Sequence, residues 1–212
     1  LISLVIPTYK GAKTLPRLIE ELMITFKNHK IEIIIVNDFS PDTTHEDTML
    51  LLDKYPNKIT YLKLSKNFGE HSATMAGLRH SEGNLIVIMD DDGQNPPEEA
   101  YKLAEFSLKS EYDVIFTKYQ IKKDSFIRNL MSKIANISAQ IILKKPKEIY
   151  FSSFKAIKRN IVDEIIKYEG AYPYIDGLIF SITSNIGSFD VIHKERKQGK
   201  SSYNIYKLAK KY

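Results

Sequence analysis

Short β-branched runs alternate with amphipathic stretches over the first 117 residues. Ile2-Ser3-Leu4-Val5-Ile6 predicts a strand, stopped by Pro7. Apolar positions then fall at Leu15, Leu18, Ile19, Leu22, Met23 and Phe26, the spacing of one helix face. Residues 31–36 are nearly continuously apolar, as a parallel strand covered on both faces requires. A helix over 44–55, a strand over 59–64, a helix over 71–80 and a strand over 85–89 follow. Pro96-Pro97-Glu98-Glu99 reads as a helix start, with prolines in the first turn and acids at the positive end of the dipole. Residues 113–117 make a fifth strand. The alternation predicts an α/β fold with a mostly parallel central sheet and helices on both faces.

The second half is less regular. Residues 124–143 read as a long basic amphipathic helix, 150–157 as a strand and 160–167 as a short helix. A turn-rich aromatic loop, Gly170-Ala171-Tyr172-Pro173-Tyr174, leads into the apolar run 175–182, and 189–193 predicts a last strand. With no internal repeat, low-complexity segment or clear linker, residues 1–212 are expected to form one domain. Its expected halves are 1–117 and 118–212.

In parallel sheets, ligands bind beyond the carboxyl ends of the strands. Four predicted strand ends carry polar groups to that edge: Pro7-Thr8-Tyr9-Lys10, Asn37-Asp38 with Ser40 and Asp42, Ser65-Lys66-Asn67-Phe68-Gly69, and Asp90-Asp91-Asp92. Three adjacent carboxylates after a buried strand repel one another and lose solvation. A divalent cation relieves both, and carboxylate oxygens suit Mg²⁺ or Mn²⁺ shared with substrate phosphates. On an extended backbone Asp90 and Asp92 point one way and Asp91 the other, which selects Asp90 and Asp92 as the working pair. An EF-hand loop needs glycine at its sixth position, where Asn95 stands. A phosphatase with an Asp nucleophile would want a further lysine and an acidic pair near later strand ends, and no clear equivalent is found. G-x-x-x-x-G-K-[ST] and G-x-G-x-x-G are also absent, which removes most support for ATPase and dinucleotide-dependent reductase chemistry.

Composition narrows the partners. A chain of 212 residues, 43% hydrophobic and 27% charged, has the make-up of a globular protein with one substantial core. It has no cysteine, so disulfides, thiolate metal sites and a cysteine nucleophile are excluded. The net charge of +5 suits an anionic partner. Eight Lys/Arg stand against the single Asp124 over 118–147, and seven against Glu195 over 193–212. Apolar and aromatic residues interleave both runs, as in segments that lie on an anionic membrane surface. The acidic triplet, and the lack of an aromatic stacking motif, argue against a nucleic-acid partner. No apolar run of 18 residues occurs, while a start at Leu1 suggests a piece of a longer chain.

Four segments together resemble the family 2 glycosyltransferases of GT-A fold. They are Val5-Ile6-Pro7-Thr8-Tyr9, Ile35-Val36-Asn37-Asp38-Phe39-Ser40-Pro41-Asp42, Asn67-Phe68-Gly69-Glu70-His71 with Met75-Ala76-Gly77-Leu78, and Met89-Asp90-Asp91-Asp92-Gly93-Gln94-Asn95-Pro96-Pro97-Glu98. Within that family the match is strongest with the polyprenyl-phosphate glycosyltransferases, the group of dolichol-phosphate mannose synthase and bacterial undecaprenyl-phosphate sugar transferases. The resemblance implies a Rossmann-like sheet and inverting transfer from a nucleotide-diphosphate sugar, UDP-linked ahead of GDP-linked. It implies that Pro7 and Tyr9 line the base pocket and that Asp38 accepts from the base. Asp90 and Asp91 would lie along the ribose and phosphates, Asp92 with Asp90 would hold the metal, and Gln94 would sit near the donor sugar or acceptor.

A lipid monophosphate acceptor is already ionised near neutral pH, so it needs cations and no proton removed. Ser153 and Lys155 are expected to hydrogen-bond it, with Arg128, Arg196 and the loop around Lys200 and Ser201 as further anion contacts. The alternative is a sugar-hydroxyl acceptor in polysaccharide or lipopolysaccharide assembly, with Asp176 as general base. Asp176 also reads as a helix cap or a neighbour of the metal, and His193 could approach the donor diphosphate. The expected location is the cytoplasmic face of a membrane, with a membrane segment beyond Tyr212.

Overall fold

The computed structural model describes residues 1–119 and 152–192. Seven strands of the described residues form one sheet: β1 (Ile2–Thr8), β2 (Ile31–Asn37), β3 (Ile59–Lys63), β4 (Leu85–Ile88), β5 (Val114–Tyr119), β6 (Lys155–Lys158) and β7 (Ile186–Val191). Among the described residues, six helices flank it: α1 (Leu15–Thr25), α2 (Thr44–Lys54), α3 (Glu70–His80), α4 (Pro97–Lys109), α5 (Arg159–Ile165) and α6 (Ile175–Ile182). The strand order is β3-β2-β1-β4-β6-β5-β7, parallel throughout except for β6, which runs antiparallel to both β4 and β5.

Alternation along the strands explains why they are apolar almost end to end. Leu4 and Ile6 on β1, Ile33 and Ile35 on β2 and Val87 on β4 pack with Leu15, Ile19 and Leu22 of α1, Leu51 of α2 and Leu103 of α4. Val5, Ile34, Val36, Ile86 and Ile88 face the other way, onto Leu78 of α3, Ile161 and Val162 of α5 and Ile175 and Ile179 of α6. Both faces of the sheet are thus covered by helices, as the patterning predicts. Gly77 lets α3 lie close on β1, because a Cβ there would run into the Val5 side chain.

Several boundaries differ from the sequence reading. β1 continues through Pro7 to Thr8. The Val5 carbonyl accepts from the Met89 amide on the β4 side, so alternation turns the missing Pro7 N–H to that side as well. β4 pairs only as far as Val5↔Ile88, and no ladder bond is lost. The strand expected over 150–157 is β6 alone; Ser152, Ser153 and Phe154 precede it, and residues 150–151 fall outside the described part. The apolar run 175–182 is helix α6, and the last strand begins at Ile186 rather than 189. The basic helix expected over 124–143, His193 and the tail to Tyr212 also fall outside the described residues.

Candidate active site at the carboxyl edge of the sheet

The carboxyl ends of β1, β2, β3 and β4 share one edge because these strands are mutually parallel. Two non-glycine residues adopt positive φ just beyond them, Lys10 at 62° after β1 and Phe39 at 60° after β2. Such conformations are uncommon for these residue types and turn the chain sharply at a ligand edge.

Asp38 is 3% exposed. Its carboxylate accepts from the Phe68 amide at 2.7 Å and the Gly69 amide at 2.9 Å, while Asn67 Nδ2 donates to its carbonyl at 3.3 Å. The visible work of Asp38 is therefore to brace the loop that opens α3. Pro7 is buried in β1, whereas Tyr9 stands out at 42% exposure, with the Lys10 ammonium 5.4 Å from its ring centroid.

The acidic triplet lies one residue past β4, on a turning segment rather than on extended strand. Its members nevertheless diverge. Ser153 Oγ donates to Asp90 Oδ2 at 2.5 Å, and Thr8 Oγ1 donates to Asp91 Oδ2. Asp92 Oδ1 accepts from the Gln94 amide at 3.0 Å, across Gly93 with φ 75°. Asp90 is thus tied to the segment before β6, Asp91 to the end of β1, and Asp92 to its own turn. Burial pushes the Asp91 carboxyl up to about 7, with the Thr8 bond opposing and the Asp90 and Asp92 charges adding to the rise.

Two groups from the second half complete the cluster. Lys155 opens β6 at 4% exposure and donates to Asp176 in the first turn of α6, an ion pair buried on both sides. Its ammonium also lies 4.9 Å from the Phe116 ring centroid. Removing one member of such a pair leaves a buried charge uncompensated, which typically costs about 3–5 kcal/mol. Lys155 is therefore committed first to Asp176, rather than standing free as a cation. Asp176 also stands in the first turn of α6, at the positive end of the helix dipole.

Glu70, the first residue of α3, was not singled out by the sequence reading. Its side chain reaches solvent, yet its carboxyl is pushed up to about 7, first by desolvation in the cleft and then by Asp90, with Asp176 and Asp92 adding and Lys155 opposing. The signal that could have found it is the helix register. Placing the start of α3 at residue 70 rather than 71 sets an acid at the tip of a helix that opens from a strand-end loop.

Among the described residues, no three His, Asp or Glu side chains already converge as a ready-made metal cluster. The donor set still fits a divalent cation. Asp91 and Glu70 are both driven toward the neutral form by desolvation and then by their acidic neighbours, and the segment after the triplet buries Asn95 Oδ1 without a hydrogen-bond partner among the described residues. Carboxylates with excess charge, completed by substrate phosphate oxygens, match how Mg²⁺ is usually held. Of the expected anion contacts, Ser153 and Lys155 reach this cluster, and Gln94 lies on the triplet's own turn. Arg128, Arg196, Lys200 and Ser201 lie outside the described residues.

A Rossmann-like sheet with an acidic triplet at its carboxyl edge is the GT-A architecture, and solved structures agree on the fold. Glucosyl-3-phosphoglycerate synthase from Mycobacterium tuberculosis, in complex with Mn²⁺, UDP and phosphoglyceric acid, superposes with a TM-score of 0.73 at 15% identity, over 98% of this chain and 73% of that one. A mannosyltransferase from Pyrobaculum calidifontis, in complex with GDP-Man and Mn²⁺, gives 0.67 at 17% identity, over 99% and 60%. The model of glycosyl transferase family 2 matches residues 3–166, and the chain belongs to that family. Its relatives include the undecaprenyl-phosphate 4-deoxy-4-formamido-L-arabinose transferases of Photorhabdus laumondii subsp. laumondii, 32% identical over 209 residues, and of Sodalis glossinidius, 32% over 210. Each match covers 98% of this chain, which spans 64% of the relative's length.

Proposed function

We propose that the chain transfers a sugar from a nucleotide-diphosphate donor, UDP-linked ahead of GDP-linked, to a polyprenyl phosphate at the cytoplasmic face of a membrane, with inversion at the anomeric carbon. The observation that carries the reading is the acidic triplet at the carboxyl edge of a parallel sheet, each Asp tied to a different partner. The relatives named undecaprenyl-phosphate 4-deoxy-4-formamido-L-arabinose transferase support the acceptor.

The first half supplies the donor site, with Pro7, Tyr9 and Asp38 around the base and Asp90 and Asp91 along the ribose and phosphates. Asp92 and Asp90 would hold Mg²⁺ or Mn²⁺, which when bound neutralises charge developing on the departing diphosphate. A phosphate oxygen of the acceptor attacks the anomeric carbon from the face opposite the diphosphate. One C–O bond forms as the other breaks, and the nucleoside diphosphate leaves with the bonding pair. An ionised phosphate needs no base. That suits a site where Asp176, the carboxylate nominated for a hydroxyl acceptor, is held by the Lys155 ammonium. Ser153 donates to Asp90 and so lies where donor and acceptor halves meet.

The test is a thermal-shift panel of UDP- and GDP-sugars with Mn²⁺, followed by transfer from the best binder to undecaprenyl phosphate. Metal-dependent stabilisation and a lipid-linked sugar product are expected. Asp92→Asn should lower turnover by roughly a hundredfold or more, in the range of lost electrostatic stabilisation. Absence of metal-dependent nucleotide binding would overturn the reading, and transfer only to a sugar hydroxyl would replace its acceptor half.

A further inference from the structure

Asn37 closes β2 with its side chain fully buried, so both ends of its amide need partners. Its Oδ1 accepts from the Ser40 amide at 2.8 Å, and its Nδ2 donates to the Tyr61 hydroxyl on β3 at 3.0 Å. Because the Ser40 N–H can only donate, turning the amide over would set Nδ2 against it and lose that bond. The Tyr61 oxygen accepts from Asn37, which leaves its own hydrogen for His45 Nδ1 on α2, 3.1 Å away. His45 accepts that hydrogen when its own proton is on Nε2, and the two rings stack with centroids 5.7 Å apart. At the far end, Ser40 Oγ accepts from the Lys10 amide at 3.0 Å, joining the loop after β2 to the strained turn after β1. Burial raises the Tyr61 phenol above its ordinary range, with the Asn37 bond opposing and Glu46 adding, so the hydroxyl keeps the proton this chain of bonds uses.

We propose that Tyr61 is a positioning residue for the nucleoside part of the donor: through Asn37 and Ser40 it locks the loop after β2 against the loop after β1. Tyr61 does not touch the nucleotide. It presets the two loops that carry Tyr9 and Asp38, and the inference rests on the donor-site reading of those residues. Without the hydroxyl, the buried Asn37 Nδ2 loses its acceptor and the amide is free to rotate away from Ser40.

Tyr61→Phe tests this directly, with His45→Leu as a second variant that removes only the outer acceptor and folds independently of any change at 61. Amide hydrogen exchange is read at Ser40 and Lys10 in the ligand-free protein. UDP affinity with Mn²⁺ and the kcat/KM split are read alongside, and thermal melting reports the fold. In Tyr61→Phe, exchange at both amides should rise at least about tenfold and UDP affinity should fall about five- to twentyfold, with kcat within about twofold, the scale of one lost buried hydrogen bond. His45→Leu should move the same readouts less. Unchanged exchange in both variants overturns the loop bracing. Raised exchange with unchanged UDP affinity overturns the link to the nucleotide. A wild-type protein that binds no nucleotide overturns the donor reading and that link together, while the exchange measurement still decides the bracing by itself.

Discussion

Glu70 shows how one side chain's neighbours set its chemistry. Beyond desolvation, its carboxyl feels the charges of Asp90, Asp176 and Asp92, and the Lys155 ammonium opposes them. Its value in the folded protein, about 7, lies above the ordinary 4.5, so the folded state binds this proton more tightly than the unfolded chain does. The stability it contributes is therefore full below pH 4.5 and is lost as pH rises through 7. Metal-free Glu70→Gln should melt above wild type at pH 8 and level with it near pH 4, in parallel melts with chelator present. A constant offset across that range would mean the substitution acts through packing instead. Beyond its place at the tip of α3, nothing in the local sequence marks Glu70 as unusual, because all four charges that act on it come from residues 20 or more positions away in the chain.

Among the elements, the strands were the more legible. β1, β2 and β4 are apolar on both faces, and a run of four to seven such residues has few other places to go. β6 was harder to read. Its Lys155 is a charged residue inside a central strand, which patterning assigns to solvent and which only the buried partner Asp176 makes tolerable. Helix α6 was likewise ambiguous, since an apolar run of eight fits a buried strand or a buried helix equally well. Packing between elements adds a check of its own. Gly77→Leu should drive α3 off β1 and lower the melting temperature by several degrees, as overpacking costs about 1–3 kcal/mol. It should also weaken nucleotide binding, because α3 begins at the loop that Asp38 holds; an unaltered melting temperature would show that α3 does not need this close approach.

For the whole molecule, the antiparallel insertion of β6 between β4 and β5 carries the second half of the chain to the edge where the first half ends its strands. Ser153 and Lys155 arrive beside Asp90 and Asp176 by that route. None of the described helices is long and apolar enough to cross a membrane. The basic runs over 118–147 and 193–212 remain the proposed contact with an anionic membrane surface, at roughly 1 kcal/mol per cation near it. Co-sedimentation with vesicles containing anionic lipid should exceed that with neutral vesicles and fall as salt rises. Equal binding to both would remove the electrostatic account.

The sequence by itself determined the layered α/β class, the strand-end location of the candidate site, the acidic triplet and the family. Each of these is written in local periodicity or in a contiguous motif, and short-range sterics and burial read such patterns without help from distant residues. Only the tertiary structure decided that β6 runs antiparallel inside the sheet, that Lys155 is spent on Asp176, that Glu70 belongs to the cluster, and that Tyr61 reaches Asn37. Those depend on which charges and hydrogen-bond partners meet across the fold, and strand order, not spacing along the chain, brings them together.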